Sequence, residues 1–485
     1  MYKHFQLYFQ IILFAVLNAS LGFAQVRGKA PNIVFIMADQ WRAQATGYSG
    51  DKNVFTPNLD RLASVSVNLK NAISGMPVCT PYRAALLTGQ YPLTSGVFMN
   101  DVMLDTNKRT IAKIYKQHGY STGFIGKWHL DGHGRSSYIP EGRRQGFDYW
   151  KTLECSHDYN NSIYYSGNSP KQMVWEGFDA LAQSRDACQY IINQSSASRP
   201  FMLFISLSPP HNPYHVAPAQ YKKLYESREI QVNENVPEKL RDSVKKELKG
   251  YYSNMSVIDD CVEMIWNTLK KSNLEENTIL VFTSDHGDLL GAHGKWNKQQ
   301  PYEESIRVPF LIHFPSKFGN KGRSSPILLN TPDIMPTLLG LSGLPIPESV
   351  EGVDFSNVLN GSQRNFVKGT LISCVQPFGE WNRKRGGKEF RGVITEKYTY
   401  VKDLDGPWLL FNNIKDPFQL DNLCGNDKYK RTKRKLERQL NALLIKRKDE
   451  FKPGLEYVKA WNYYVDESET VPYKRLIFEG KPIGN

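Results

Sequence analysis

The chain has 485 residues, of which 40% are hydrophobic, and carries a formal net charge of +13. It holds enough apolar content for a large core and exceeds one domain of ~100–200 residues, which excludes a disordered chain and points to two folded units. Six cysteines, Cys79, Cys155, Cys188, Cys261, Cys374 and Cys424, are scattered without a CxxC pair, which argues against a zinc cluster or a dense disulfide framework and leaves room for one or two disulfides.

The chain opens with Lys3 and His4, an apolar run from Ile11 to Leu17, and the small-x-small ending Gly22-Phe23-Ala24. Residues 1–24 read as a cleavable signal peptide, which predicts export to the periplasm or beyond the cell. The apolar run is too short for the ~20 residues of a spanning helix, and no later segment supplies one, so no membrane span is expected after signal cleavage. The positive charge favours an anionic partner. With no nucleic-acid module in the sequence, a sulfated or carboxylated polysaccharide fits an exported protein better than nucleic acid.

Four apolar runs have strand character, and each ends in polar residues fit for chemistry. Asn32 to Ala38 leads to Asp39-Gln40, Tyr120 to Gly126 to Lys127-Trp128-His129, Phe201 to Leu207 through Pro209-Pro210 to His211, and Thr278 to Ser284 to Asp285-His286-Gly287. Unbroken apolar strands imply a parallel sheet covered on both faces. Helical patterns at Pro57 to Ser66, Thr110 to His118 and Asp259 to Lys270 supply the crossovers. In such sheets ligands bind beyond the carboxyl ends of the strands, so these ends converge on one rim.

Between the first two runs, Pro77 to Leu86 places Cys79 at an expected helix start, with Pro81 in the first turn and Arg83 four residues on. Residues four apart share a helix face, so Arg83 can reach back toward the sulfur. This pattern fits a nucleophile built to meet an anion, and equally a buried structural cysteine before an ordinary helix. After Gly361 the character changes. Arg391 to Val401 alternates like an antiparallel strand pair, Trp408 to Phe411 forms a further strand, and Lys428 to Lys448 is a basic amphipathic helix whose charges read as a solvated face. The expected organisation is a catalytic unit over 25–360 and a smaller antiparallel unit over 361–485.

With these residues in view, the chain resembles the type I, formylglycine-dependent sulfatases of the alkaline-phosphatase-like superfamily, bacterial polysaccharide sulfatases in particular. Cys79-Thr80-Pro81-Tyr82-Arg83 fits the C-x-P-x-R motif, followed by Leu87-Thr88-Gly89. Gly126-Lys127-Trp128-His129 is similar to the second motif, and Thr283-Ser284-Asp285-His286-Gly287 to the late metal-binding motif. Leu410-Phe411-Asn412, Lys415-Asp416-Pro417 and Asp421-Asn422-Leu423 resemble the C-terminal signature.

The resemblance implies an α/β fold, with a large mixed, mostly parallel sheet sandwiched by helices and a smaller antiparallel α+β subdomain. It implies that a formylglycine-generating maturation enzyme oxidises Cys79 to Cα-formylglycine (3-oxoalanine), whose hydrate is the nucleophile. Asp39, Gln40, Asp285 and His286, with the modified Cys79, would ligate one divalent cation, Ca²⁺ rather than Mg²⁺. Gln40 and His286 depart from the commoner Asp and Asn and lower the negative charge of the site. Arg83 would hold the formylglycine, and Lys127 and Lys298 would bind sulfate oxygens. His129 would orient or deprotonate the hydrate, and His211 would protonate the departing alcohol. The implied activity is sulfate ester hydrolysis on a sulfated glycan of ulvan, carrageenan or glycosaminoglycan type. Alternatives are a phosphonate monoester or phosphodiester hydrolase of the same superfamily, a sulfatase for small aryl or choline-like esters, and a noncatalytic sulfated-glycan binder if Cys79 stays a thiol.

Overall fold

The computed structural model describes residues 30–364 and 367–473, together with 477–478 and 481–482. The expected signal peptide, 1–24, lies outside the described residues. In chain order the strands are β1 (Asn32–Asp39), β2 (Val67–Asn68), β3 (Ser121–Lys127), β4 (Tyr149–Leu153), β5 (Ile163–Ser166), β6 (Met173–Val174), β7 (Phe201–Pro210), β8 (Thr278–Ser284), β9 (Phe310–His313), β10 (Arg323–Ser324), β11 (Thr370–Cys374), β12 (Phe390–Ile394), β13 (Tyr398–Asp403) and β14 (Gly406–Asn412).

The first ten strands form one sheet in the order β10-β2-β9-β8-β1-β7-β3-β4-β5-β6. Its centre, β8-β1-β7-β3-β4, is parallel, while β9, β5 and β6 run antiparallel to their neighbours. β1 shows why its apolar run is unbroken. Ile33, Phe35 and Met37 enter one core layer, which includes Val78 and, from the helix Cys79–Thr88 that follows it, Tyr82 and Leu86. Val34, Ile36 and Ala38 enter the opposite layer with Val257, Ile258 and Cys261 of the helix Arg241–Lys271. Alternate side chains of a strand face opposite sides, so a sheet covered on both faces needs apolar residues at every position.

That long helix begins 18 residues before the expected Asp259, because its first half is polar enough to hide the period while still burying Val244, Leu248 and Tyr251. β4 and β9 are short and were carried by no clear sequence signal.

β11 to β14 form a separate antiparallel sheet in sequential order. The helix Lys430–Lys446 covers one face through Leu436, Leu440 and Leu444, packed with Leu371, Val393, Tyr400 and Leu410. The other face packs Ile372, Phe390, Val401 and Phe411 against Leu289, Tyr302 and Ile306 of the larger unit. This contact carries the segment after β11 to the rim of the large sheet. All six cysteines are free thiols and buried. No helix among the described residues is long and apolar enough to cross a membrane.

Candidate active site

The parallel strands β8, β1, β7 and β3 are neighbours, so Asp285, Asp39, His211 and Lys127 emerge side by side at their carboxyl ends. Two glycines allow this crowding. Gly126, at φ 99°, lies so close to β7 that a Cβ would sit 2.2 Å from the Ser206 carbonyl oxygen, and a Cβ on Gly287 would sit 1.9 Å from that of Glu304. Gln40 and His129, just past their strands, hold left-handed backbones at φ 69° and 56°, conformations that cost non-glycine residues energy and cluster at functional sites.

Cys79 opens its helix and is buried beneath this rim. Its Sγ is 3.2 Å from His286 Nε2, 3.8 Å from Asp39 Oδ1 and 3.9 Å from Lys127 Nζ. Burial, reinforced by Asp39, pushes the thiol up to about 12, so the sulfur carries no thiolate at neutral pH and is a poor nucleophile as it stands. Arg83 does not hydrogen-bond the sulfur. Its guanidinium donates to the Lys127 carbonyl and Ser206 Oγ, both at 2.7 Å, and pairs with Asp39 at 3.2 Å and Asp285 at 3.3 Å. Arg83 is therefore a brace for both carboxylates. Burial opposes charge on Asp39, but Lys127 and Arg83 hold it well below the usual carboxylate range.

Asp39, Cys79, Asp285 and His286 each offer a ligand atom, all within 4.8 Å of one another and all buried. The donor set fits a divalent cation. His286 Nδ1 is 3.0 Å from the Gly287 carbonyl; with its hydrogen donated there, Nε2 presents a lone pair toward the carboxylates 3.6 Å away, the second contact that orients metal-binding histidines. Gln40 is anchored differently. Its amide nitrogen donates to Asp288 Oδ2 at 2.6 Å, and its oxygen accepts from Lys298 Nζ at 2.8 Å.

Lys298 comes from the loop after β8 and lines the same cavity as Lys127, which contacts Asp39 Oδ2 at 2.6 Å. Lys298 Nζ also donates to His211 Nε2 at 2.9 Å, while His211 Nδ1 faces the Asn212 carbonyl at 2.8 Å. Burial, Lys298 and Lys127 hold the His211 imidazole well below its usual value. Without substrate it is neutral, and the proton between it and Lys298 resides on the lysine.

These groups floor a cavity of about 440 Å³. Its walls hold residues that no motif announced: Asp101, Arg135, His157 and Glu380, with Asp466 and Tyr473 from near the C-terminus. His157 stacks flat on His211, with centroids 4.6 Å apart and planes at 7°, and Glu380 reaches Lys298 at 3.5 Å.

The family profile for sulfatases matches residues 31–344, and that for the C-terminal region of N-sulphoglucosamine sulphohydrolase matches 291–446. The chain is 42% identical over 449 residues to an ulvan-active sulfatase of Formosa agariphila, covering 91% of this chain and 87% of that one. It is 28% identical over 471 residues to an endo-4-O-sulfatase of Bacteroides thetaiotaomicron, covering 85% and 92%. The crystal structure of the sulfatase yidJ of Bacteroides fragilis superposes with a TM-score of 0.81 at 32% identity, covering 90% of this chain and 99% of that one. With that agreement over sequence and fold, the buried cysteine among carboxylates and lysines belongs to a sulfuric ester hydrolase of alkaline-phosphatase-like fold, and the chain is a member of the sulfatase family.

Proposed function

We propose that this sulfatase is exported and removes sulfate esters from a sulfated polysaccharide or its oligosaccharides, using Ca²⁺ and Cys79 matured to Cα-formylglycine. The observation that carries the reading is the buried anion site itself. Arg83, Lys127 and Lys298 surround two carboxylates at the floor of an open cavity lined by polar side chains. The ulvan-active and endo-4-O-sulfatase relatives support a glycan substrate, and the net charge of +13 suits a polyanion. Asp39 and Asp285 supply hard oxygen donors, as Ca²⁺ prefers.

The Cys79 sulfur marks where one oxygen of the formylglycine hydrate would stand, and that group supplies the hydroxyl that attacks sulfur. A bound cation would withdraw charge from a sulfate oxygen. The chain's own residues do the rest. Lys127 and Lys298 would bind the sulfate oxygens, and fixed cations in a dry site lower the barrier where charge develops. Binding an anion offsets the Lys298 charge that now keeps His211 neutral. His211 can then hold a proton on Nε2 and deliver it to the departing alkoxide. His157, stacked on its face, keeps the ring in plane.

Three measurements test the reading. Defined sulfated oligosaccharides should be turned over with release of inorganic sulfate, and faster turnover of aryl phosphate diesters than of any sulfate ester would overturn it. Mass analysis of the Cys79 peptide from active enzyme should show formylglycine, and a thiol there would refute the mechanism. His211→Ala should slow esters of poor leaving groups by ~10²-fold or more while sparing activated aryl esters; equal losses would remove the acid role.

A further inference from the structure

His129 is 2% exposed, and its Nε2 lies 3.3 Å from Oδ1 of Asp101. Asp101 is itself buried and left-handed, at φ 64°. Arg135 clasps it through two parallel bonds, Nε to Oδ1 at 2.8 Å and Nη2 to Oδ2 at 2.7 Å. A carboxylate held by a bidentate guanidinium is ionised and accepts only. Burial works against that charge, but the bonds from Arg135 and His129 hold Asp101 well below the usual carboxylate range.

The hydrogen between Asp101 and His129 therefore belongs to Nε2, and Nδ1 is bare. Nδ1 is buried and has no hydrogen-bond partner among the described residues, while His129 lines the same cavity as Cys79. A buried acceptor left unmatched costs free energy, which a donor arriving in the cavity would recover. Burial together with Lys127 and Arg135 outweighs the pull of Asp101 and holds the free imidazole down at about 3, so Nδ1 carries no proton at neutral pH.

We propose that Asp101, clasped by Arg135, is a positioning residue for sulfate ester hydrolysis: it fixes His129 in the Nε2-protonated tautomer and leaves Nδ1 as the base for a hydroxyl at Cys79. In that step the hydroxyl O–H bond breaks, its proton bonds to Nδ1, and the electron pair stays on the oxygen. The imidazolium formed is held by the Asp101 carboxylate until it returns the proton to water. The inference rests on the hydrate chemistry proposed above for Cys79. Arg135 also ties the clasp to the cavity wall, because its guanidinium lies 4.1 Å from the centroid of the Tyr473 ring and both side chains line the cavity.

The first test is ¹⁵N NMR of histidine-labelled full-length protein with Cys79 left as a thiol, which reads the tautomer without any turnover. The wild type should show His129 neutral with its proton on Nε2; a proton on Nδ1 would overturn the proposal with no variant needed. Asp101→Ala should shift the proton to Nδ1 or into exchange between the two nitrogens. In the matured enzyme the same change should lower kcat by ~10²-fold or more and leave KM within about threefold. Arg135→Met, which keeps the carboxylate, should retain the Nε2 proton and lose less. If Asp101→Ala leaves the tautomer unaltered, or lowers kcat and raises KM together with thermal stability lost, Asp101 is a structural support only. A wild type with the expected tautomer but no sulfate ester turnover would sink the functional reading and spare the tautomer assignment.

Discussion

Replacing Arg83 with Met tests whether the buried brace organises the site or merely fills space. Met keeps most of the length and removes the charge. It strips partners from Asp39 and Asp285, whose side chains are fully buried, and from Ser206 and the Lys127 carbonyl. Breaking a buried ion pair from one side costs about 3–5 kcal/mol, because a desolvated charge is left behind. Lys127 still answers Asp39 at 2.6 Å, so the orphaned charge falls mainly on Asp285. An unfolding entropy of ~2.1 cal/mol/K per residue over 485 residues gives ~1 kcal/mol/K. The expected fall in Tm is then about 3–5 °C. Scanning calorimetry at pH 7 in chelator measures it. Saturating Ca²⁺ should raise the Tm of the variant more than that of the wild type, since a cation would answer the same carboxylates. A variant whose Tm is unchanged in chelator, or whose response to Ca²⁺ is smaller than wild type, would refute the brace.

Two further outcomes concern the carboxyl groups of Asp179 and Glu380. Asp179, fully buried where the helix Asp179–Ser195 begins, is pushed by burial up to about 8, against ~3.9 in an unfolded chain. A raised folded value means its contribution to stability is complete below ~3.9 and is lost as pH climbs through 8. Asp179→Asn should therefore gain on wild type between pH 5 and 8, by up to ~1.4 kcal/mol per pH unit; urea midpoints that differ by the same amount at both pH values would contradict this. Glu380 lies 3.5 Å from Lys298, a lysine expected to bind sulfate. Its carboxylate competes with that anion from a partly exposed position, so Glu380→Gln should lower the inhibition constant of inorganic sulfate about twofold to fivefold, and an unchanged constant would show that the two do not compete.

Much of the site is legible in the chain alone. β1, β3, β7 and β8 each announce themselves by an unbroken apolar run, and Asp39, Lys127, His211 and Asp285 follow these runs directly, so a parallel sheet had to bring them to one rim. Cys79 and Arg83 are likewise local, four residues apart on one helix. The basic helix near the C-terminus is visible through Leu436, Leu440 and Leu443 at helical spacing, although the third buried leucine is Leu444 and Leu443 is only partly covered. What the sequence left open was the path of the chain between these elements. Arg83 could be placed near Cys79, but that it braces Asp39 and Asp285 instead of the sulfur follows from the order β8-β1-β7-β3. Asp101 and Arg135 sit in loops without motif or period, and they meet His129 only when those loops fold over the end of β3. Glu380 enters the cavity because the small antiparallel sheet docks against the large unit through Tyr302 and Phe411, and Tyr473 because the segment before it packs Val458, Tyr463 and Val471 onto the core of the large unit. Strand formation and motif spacing are short-range properties, set by side-chain alternation and helical pitch. A clasp between loops is set by register and packing over long stretches of chain, and no local pattern encodes it.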